Sequence, residues 1–183
     1  AGAQWRLGRS LVRLGERQGS KKEKLKYYLL AEEKIRKSIE LKPDDAESHF
    51  WMGLAMGRRG ETKGILNSLF LIGPLRQEMA TAIKLDPKHG GAHHVLGEIL
   101  RQLPRFAGGS KKEAVKEMEE AVRLSPNYTA NYPSLAEAYV SIGEKEKAIA
   151  TLKKIFEVKE PADPAEFESD LKDARELLQK LEK

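Results

Sequence analysis

Cysteine is absent from the 183 residues, which excludes disulfides, thiolate metal sites and cysteine nucleophiles. The same absence suits a cytoplasmic or a periplasmic protein equally. The chain begins at Ala1 without Met or a signal-type apolar segment, so the compartment stays open: cytoplasmic or, after signal-peptide removal, periplasmic. Long apolar runs are missing too. The longest, Ile65 to Leu75, is broken by Asn67, Ser68 and Pro74, whereas a spanning helix needs about 20 apolar residues. No GxSxG elbow, P-loop or HExxH occurs, and the acids are scattered without a distinctive pair. The expectation is therefore no enzyme, no catalytic residues, no cofactor and no metal.

What is present describes a folding chain: 40% of residues are hydrophobic and 33% charged, too apolar for disorder. The net charge of +5 is unevenly spread. Residues 1–26 carry eight Lys/Arg against two acids, and residues 157–183 nine acids against five bases. Solvated helix faces account for such a split; so would an anionic partner for the N-terminal end, or head-to-tail self-association. Nothing resembles a nucleic-acid recognition motif, and few aromatics interleave the basic stretch, which argues against nucleic acid.

Self-similarity is the main signal. Three segments end alike: Ser38-Ile39-Glu40-Leu41-Lys42-Pro43, Ala82-Ile83-Lys84-Leu85-Asp86-Pro87 and Ala121-Val122-Arg123-Leu124-Ser125-Pro126, with prolines 44 and then 39 residues apart. Helix-period triplets precede them: Ala31, Ile35, Ser38; Leu75, Met79, Ala82; Ala114, Met118, Ala121; a fourth is Ala148, Leu152, Ile155. Upstream lies a second element, Leu7-Gly8 with Gly15, Met52-Gly53 with Gly60, Leu96-Gly97, and Leu135-Ala136 with Gly143. A small residue there lets two antiparallel helices approach, and the later glycine is expected to supply the positive φ that ends the first helix. Ser20-Lys21-Lys22-Glu23 and Ser110-Lys111-Lys112-Glu113 read as capping boxes. Asp44 with Glu47 is expected to open a helix, as is Asp163-Pro164-Ala165-Glu166.

These positions together resemble the tetratricopeptide repeat (TPR) family. The resemblance implies an all-α, right-handed TPR α-solenoid of about four helix-turn-helix units, forming a single domain over residues 1–183. The units span about 3–43, 44–87, 88–126 and 127–160. A C-terminal capping helix at about 164–182 carries the stripe Phe167, Leu171, Ala174, Leu178, Leu181. Units one to three are longer than a plain repeat. The insert in unit two brings Ile65, Leu66, Leu69, Phe70 and Ile72, expected as one or two helical turns before Pro74. They serve either as extra core or as the apolar wall of a ligand groove.

A further resemblance, over Glu47 to Gly97, is to the TPR domain of the regulator of microtubule dynamics proteins and their bacterial relatives. His49-Phe50-Trp51, Lys63-Gly64-Ile65 and His93-His94-Val95-Leu96-Gly97 carry it. Leu103 to Ser110 is similar to periplasmic TPR components of TRAP transporters. The first resemblance implies adaptors with lipid-handling capacity, the second a link to solute uptake.

His89, His93 and His94 form the one histidine cluster. Adjacent histidines on a helix lie about 100° apart, and no third ligand is placed beside His89 and His93, so packing explains them better than a metal. A TPR lines its inner groove with first helices. By phase these bring Trp5, Arg6, Arg9 and Arg13; Phe50, Leu54 and Arg58; then His94 and Arg101. The Lys and Asn set with which chaperone-adaptor TPRs clamp a C-terminal carboxylate is missing. The leading expectation is a non-catalytic scaffold for a protein or peptide partner in this groove. The alternatives are a carrier or sensor of a lipid or other small amphiphile, with Arg9, Arg13 and Arg58 near its head, and a self-assembling structural repeat.

Overall fold

A computed structural model describes residues 2–183, all side chains included except those of Ile65 and Leu66. Among the described residues there are helices and turns but no strand. The helices are α1 (Gly2–Glu16), α2 (Lys21–Leu41), α3 (Ala46–Lys63), α4 (Ile65–Leu85), α5 (Gly90–Gln102), α6 (Lys111–Leu124), α7 (Asn131–Ser141), α8 (Lys145–Lys154) and α9 (Phe167–Leu181). Short 3-10 turns occupy Arg105–Ala107 and Ile155–Glu157. The chain divides into two compact units, residues 1–92 and 93–183.

In unit 1 the small residues set the helix spacing. A Cβ added at Gly8 would sit 2.3 Å from Cγ1 of Ile35, and one at Gly53 2.3 Å from Cε of Met79. Gly8 faces Ile35 while Gly15 faces Tyr28, so α1 and α2 run antiparallel; Gly53 with Met79 and Gly60 with Ser68 show the same of α3 and α4. Val12, Tyr28, Ala31, Ile35, Trp51, Met52 and Ala55 form the core of this unit. Arg58 of α3 binds Glu16 of α1, so the ends of these two first helices lie together.

Two expected turn glycines have another role. Gly15 and Gly60 lie inside α1 and α3 without positive φ; they are close-approach positions, where a Cβ would meet the Tyr28 ring at 2.6 Å and Cα of Ser68 at 3.2 Å. The second helix pair reverses instead at Gly64, with φ 105°. Gly143, at φ 84°, does end α7's turn as expected.

The caps follow hydroxyl and carboxylate chemistry. Ser20 and Ser110 accept from the backbone N–H of Glu23 and Glu113. Asp45, rather than Asp44, caps α3, accepting from Ser48 N–H at 3.2 Å. The unit-two insert forms the first half of α4, which continues through Pro74. Proline there withholds a hydrogen bond from the carbonyl of Phe70, four residues back. Phe70 itself is 83% exposed.

In unit 2, Val115, Met118, Tyr132, Leu135, Ala136, Tyr139, Leu152, Ile155, Leu171 and Ala174 build the core. The expected stripe of α9 packs there, with Leu171 and Ala174 buried and Phe167, Leu178 and Leu181 at its edge. The helix starts at Phe167, later than the Asp163-Pro164 motif suggests, because Asp163 instead closes a turn by accepting from Glu166 N–H.

Candidate functional site

The expected groove residues divide between the units, and their states differ. In unit 1, α1 carries Arg6, Arg9 and Arg13 at i, i+3 and i+7, on one helix face. Trp5 packs at the edge of the core and Trp51 within it, 7% exposed. The Arg6 guanidinium lies 5.0 Å from the Trp5 ring centre, and those of Arg9 and Arg13 lie 5.9 and 6.0 Å from that of Trp51. Guanidinium stacking on indole is favourable, about 0.5–1 kcal/mol when exposed, and consumes no N–H donor. The orientation of Trp51 is fixed from behind, where its Nε1–H donates to Glu47 at 3.1 Å.

The arginines then part company. Arg13 lies 3.3 Å from Glu16. Glu16 also takes Nε of Arg58 at 2.8 Å, and Glu61 takes another of its nitrogens at 3.1 Å. Burial pulls Arg58 down, but Glu61 and Glu16 outweigh it and hold its pKa above the ordinary value. Arg58 thus ties α3 to α1 rather than standing open in a groove. Among the described residues, Arg6 and Arg9 have no carboxylate partner.

Phe50 and Leu54, one turn apart on α3, lie half-buried against the same core. Phe50 meets the His89 ring at 4.5 Å and Trp51 edge-on at 5.4 Å. Nδ1 of His89 accepts from Ala92 N–H at 3.1 Å, so the proton sits on Nε2. That nitrogen is buried and lies 3.7 Å from Glu47, beyond hydrogen-bond reach.

In unit 2, His94 and Arg101 are both engaged. Asn131 donates to the carbonyls of Ala121 and Ser125, which leaves its Oδ1 to accept from His94 Nδ1 at 2.8 Å. Burial lowers the His94 pKa, against the raising effects of Glu98, Asn131 and Asp170. Arg101 contacts Glu98 at 2.8 Å and Glu137 at 2.9 Å. His93 meets Glu117 of α6 at 2.6 Å. A groove between α7 and α9 is acidic, lined by Glu137, Asp170, Asp173 and Glu176 beside Lys180. Burial pushes the Asp170 carboxyl up; the hydroxyl of Thr129 pulls it down, but Glu166, Asp173 and Asp163 add to the rise.

Of the proposed apolar wall, Leu69 and Phe70 are 56% and 83% exposed, and Ile72 is half-buried. The side chains of Ile65 and Leu66 lie outside the described residues. No described helix is long and apolar enough to cross a membrane.

Sequence phase found the arginine stripe but missed Trp51, the platform beneath it. The spacing of Glu47 and Trp51, four residues apart on one helix, was the available signal. It also missed the pairing of Arg58 with Glu16, 42 residues away in sequence.

Comparison with known proteins gives a consistent family. The model of regulator of microtubule dynamics protein 1-3 matches residues 1–102 and 105–182. Regulator of microtubule dynamics protein 1 of Bos taurus is 23% identical over 194 residues, 97% of this chain and 60% of that protein. Regulator of microtubule dynamics protein 3 of Bos taurus is 22% identical over 191 residues, 95% of this chain and 41% of that one. The chain thus spans about two fifths to three fifths of the length of these relatives. Among solved structures, a thermophilic TPR protein of Thermus thermophilus, TTC0263, superposes with a TM-score of 0.62 at 21% identity. That match covers 93% of this chain and 82% of that one, and it establishes the TPR fold.

Proposed function

Starting from a chain that belongs to the regulator of microtubule dynamics protein 1-3 family, we propose that it is a non-catalytic scaffold. It binds a protein or peptide segment on the first-helix face of unit 1, through Trp5, Arg6, Arg9, Arg13, Phe50 and Leu54. The observation that carries this reading is the stacking of three arginines on two tryptophans beside the half-buried Phe50 and Leu54. Stacked guanidiniums have lost rotamer freedom before a partner arrives, so less is lost on binding. An apolar ledge beside them provides the contact from which affinity grows.

Peptide display on the full chain, followed by hydrogen-exchange mapping of recovered peptides, tests the reading. Protection confined to α1 and α3 supports it; recovery of no peptide, or protection elsewhere only, defeats it.

One observation favours a second reading, a carrier or sensor of a lipid or other small amphiphile. The first half of α4, Ile65 to Leu75, carries no charge and exposes Leu69 and Phe70, which suits an apolar contact. Native mass spectrometry decides it: a clean apo mass from protein purified without detergent removes the carrier.

A further inference from the structure

We propose that the α1 face of unit 1 is selective for acidic segments, taking carboxylates at Arg6 and Arg9 and an apolar neighbour at Phe50 and Leu54. This rests on the scaffold reading above and specifies the chemistry of its partner. The positive charge of the stripe is graded. At its C-terminal end Arg13, Glu16, Arg58 and Glu61 neutralise one another. At its N-terminal end Arg6 and Arg9 are exposed, stacked on indole and without a carboxylate partner among the described residues. Glu47, the acid that touches the Trp51 platform, is engaged by the indole N–H.

The geometry narrows the ligand further. Arg6 and Arg9 are three apart on a helix, about 5–6 Å between Cβ atoms. In an extended segment, side chains at i and i+2 point the same way about 6.6 Å apart. An acid-x-acid segment therefore places one carboxylate on each guanidinium, and each fork can donate two parallel N–H bonds. Phe50 and Leu54 pack, half-buried, against the same core as Trp51, the ring beneath Arg9, so an apolar residue further along the segment completes the match.

The experiment selects peptides from a random library on the full wild-type chain and sequences those whose exchange protection maps to α1 and α3. Recovered peptides are expected to be enriched in Asp and Glu over the unselected library. A representative synthetic peptide should lose about tenfold or more in affinity when its acids become Gln, or when the chain carries Arg6→Glu with Arg9→Glu. Lys111→Glu with Lys112→Glu, the same change of charge in unit 2, should leave affinity within about twofold. Circular dichroism melting of each variant checks the fold, and a loss of affinity from 50 to 200 mM salt (concentrations on the order of those used to titrate surface charge) should accompany binding to wild type.

Peptides that map to this face without acidic enrichment, or that bind Arg6→Glu/Arg9→Glu unchanged, overturn the acidic selectivity and leave the scaffold reading standing. Recovery of no peptide overturns both. Concentration-dependent oligomers that dissolve in the Arg6→Glu/Arg9→Glu chain make the occupant a second copy and also overturn the proposal.

Discussion

Unit 1 ties its helices with ion pairs: Arg58 of α3 to Glu16 of α1, and Arg59 of α3 to Glu32 of α2. Unit 2 also pairs Arg101 of α5 with Glu137 of α7, but it holds α6, α7 and α9 together with uncharged donors. Asn131 of α7 donates to two carbonyls at the end of α6, Tyr132 to the carbonyl of Pro126, and Tyr139 and Thr129 to Glu119 and Asp170. The difference decides what each unit leaves exposed. Where guanidiniums serve as internal ties they are less free to meet a ligand, so of the three arginines along α1 that stack on indole, only Arg6 and Arg9 stack without an ion pair among the described residues. In unit 2 the arginine at the corresponding face, Arg101, is closed by two carboxylates, and acids dominate the α7–α9 groove. Pairing, rather than charge count, is what separates the two faces.

The sharpest test of the contrast is Arg59→Ala, which leaves Glu32, 6% exposed, as an uncompensated buried charge. Loss of one partner of a buried pair costs about 3 kcal/mol, to be read from chemical denaturation; a loss under about 1 kcal/mol would show that the ties of unit 1 are incidental. Next comes Asn131→Ala in unit 2. It strands two backbone carbonyls and the His94 donor, so a loss of about 2 kcal/mol is expected. A neutral outcome would mean that the uncharged network orders the helices without stabilising them.

Gly53→Ala should cost less, about 1 kcal/mol, because the atom it meets is the flexible end of Met79. A cost like that of Arg59→Ala would put close packing level with ion pairing in unit 1.

The smallest effect is in pH. The His94 pKa is lowered in the folded protein, so unfolding takes up a proton there once pH falls towards the unfolded value of about 6.5. The contribution is full above that pH and lost below it. Tm should drop between pH 7.5 and 5 (about one unit above and below the titration range), and drop less in His94→Asn; equal drops would remove His94 from the cause.

Much of this was legible in the sequence, for a physical reason: short-range chemistry is local. The Ser20 and Ser110 caps, the small residues Gly8, Gly53, Gly97 and Ala136, and the α9 stripe each follow from spacing within one or two helices. What escaped depends on contacts far apart in sequence or on a choice between equivalents. Asp44 and Asp45 are both good caps, and only the register of α3 selects Asp45. Gly60 and Gly64 are both competent to turn the chain, and packing of Ser68 against Gly60 moves the reversal to Gly64. Arg58 carries the phase of a groove residue, but Glu16 reaches it first. The polar network of Thr129 and Asn131 gives no periodic signal at all, since buried polar residues interrupt the pattern that periodicity detects.

Both tryptophans of the chain, Trp5 and Trp51, belong to unit 1, while three of the five tyrosines, Tyr128, Tyr132 and Tyr139, belong to unit 2. The molecule therefore carries its own optical labels. Selective excitation of indole watches unit 1 alone, with no probe attached, and a residue touching Arg9 or Arg13 alters the surroundings of the Trp51 ring beneath them. Emission and circular dichroism that change at different denaturant concentrations would resolve the halves as separately melting bodies. A single shared midpoint would make them one cooperative fold.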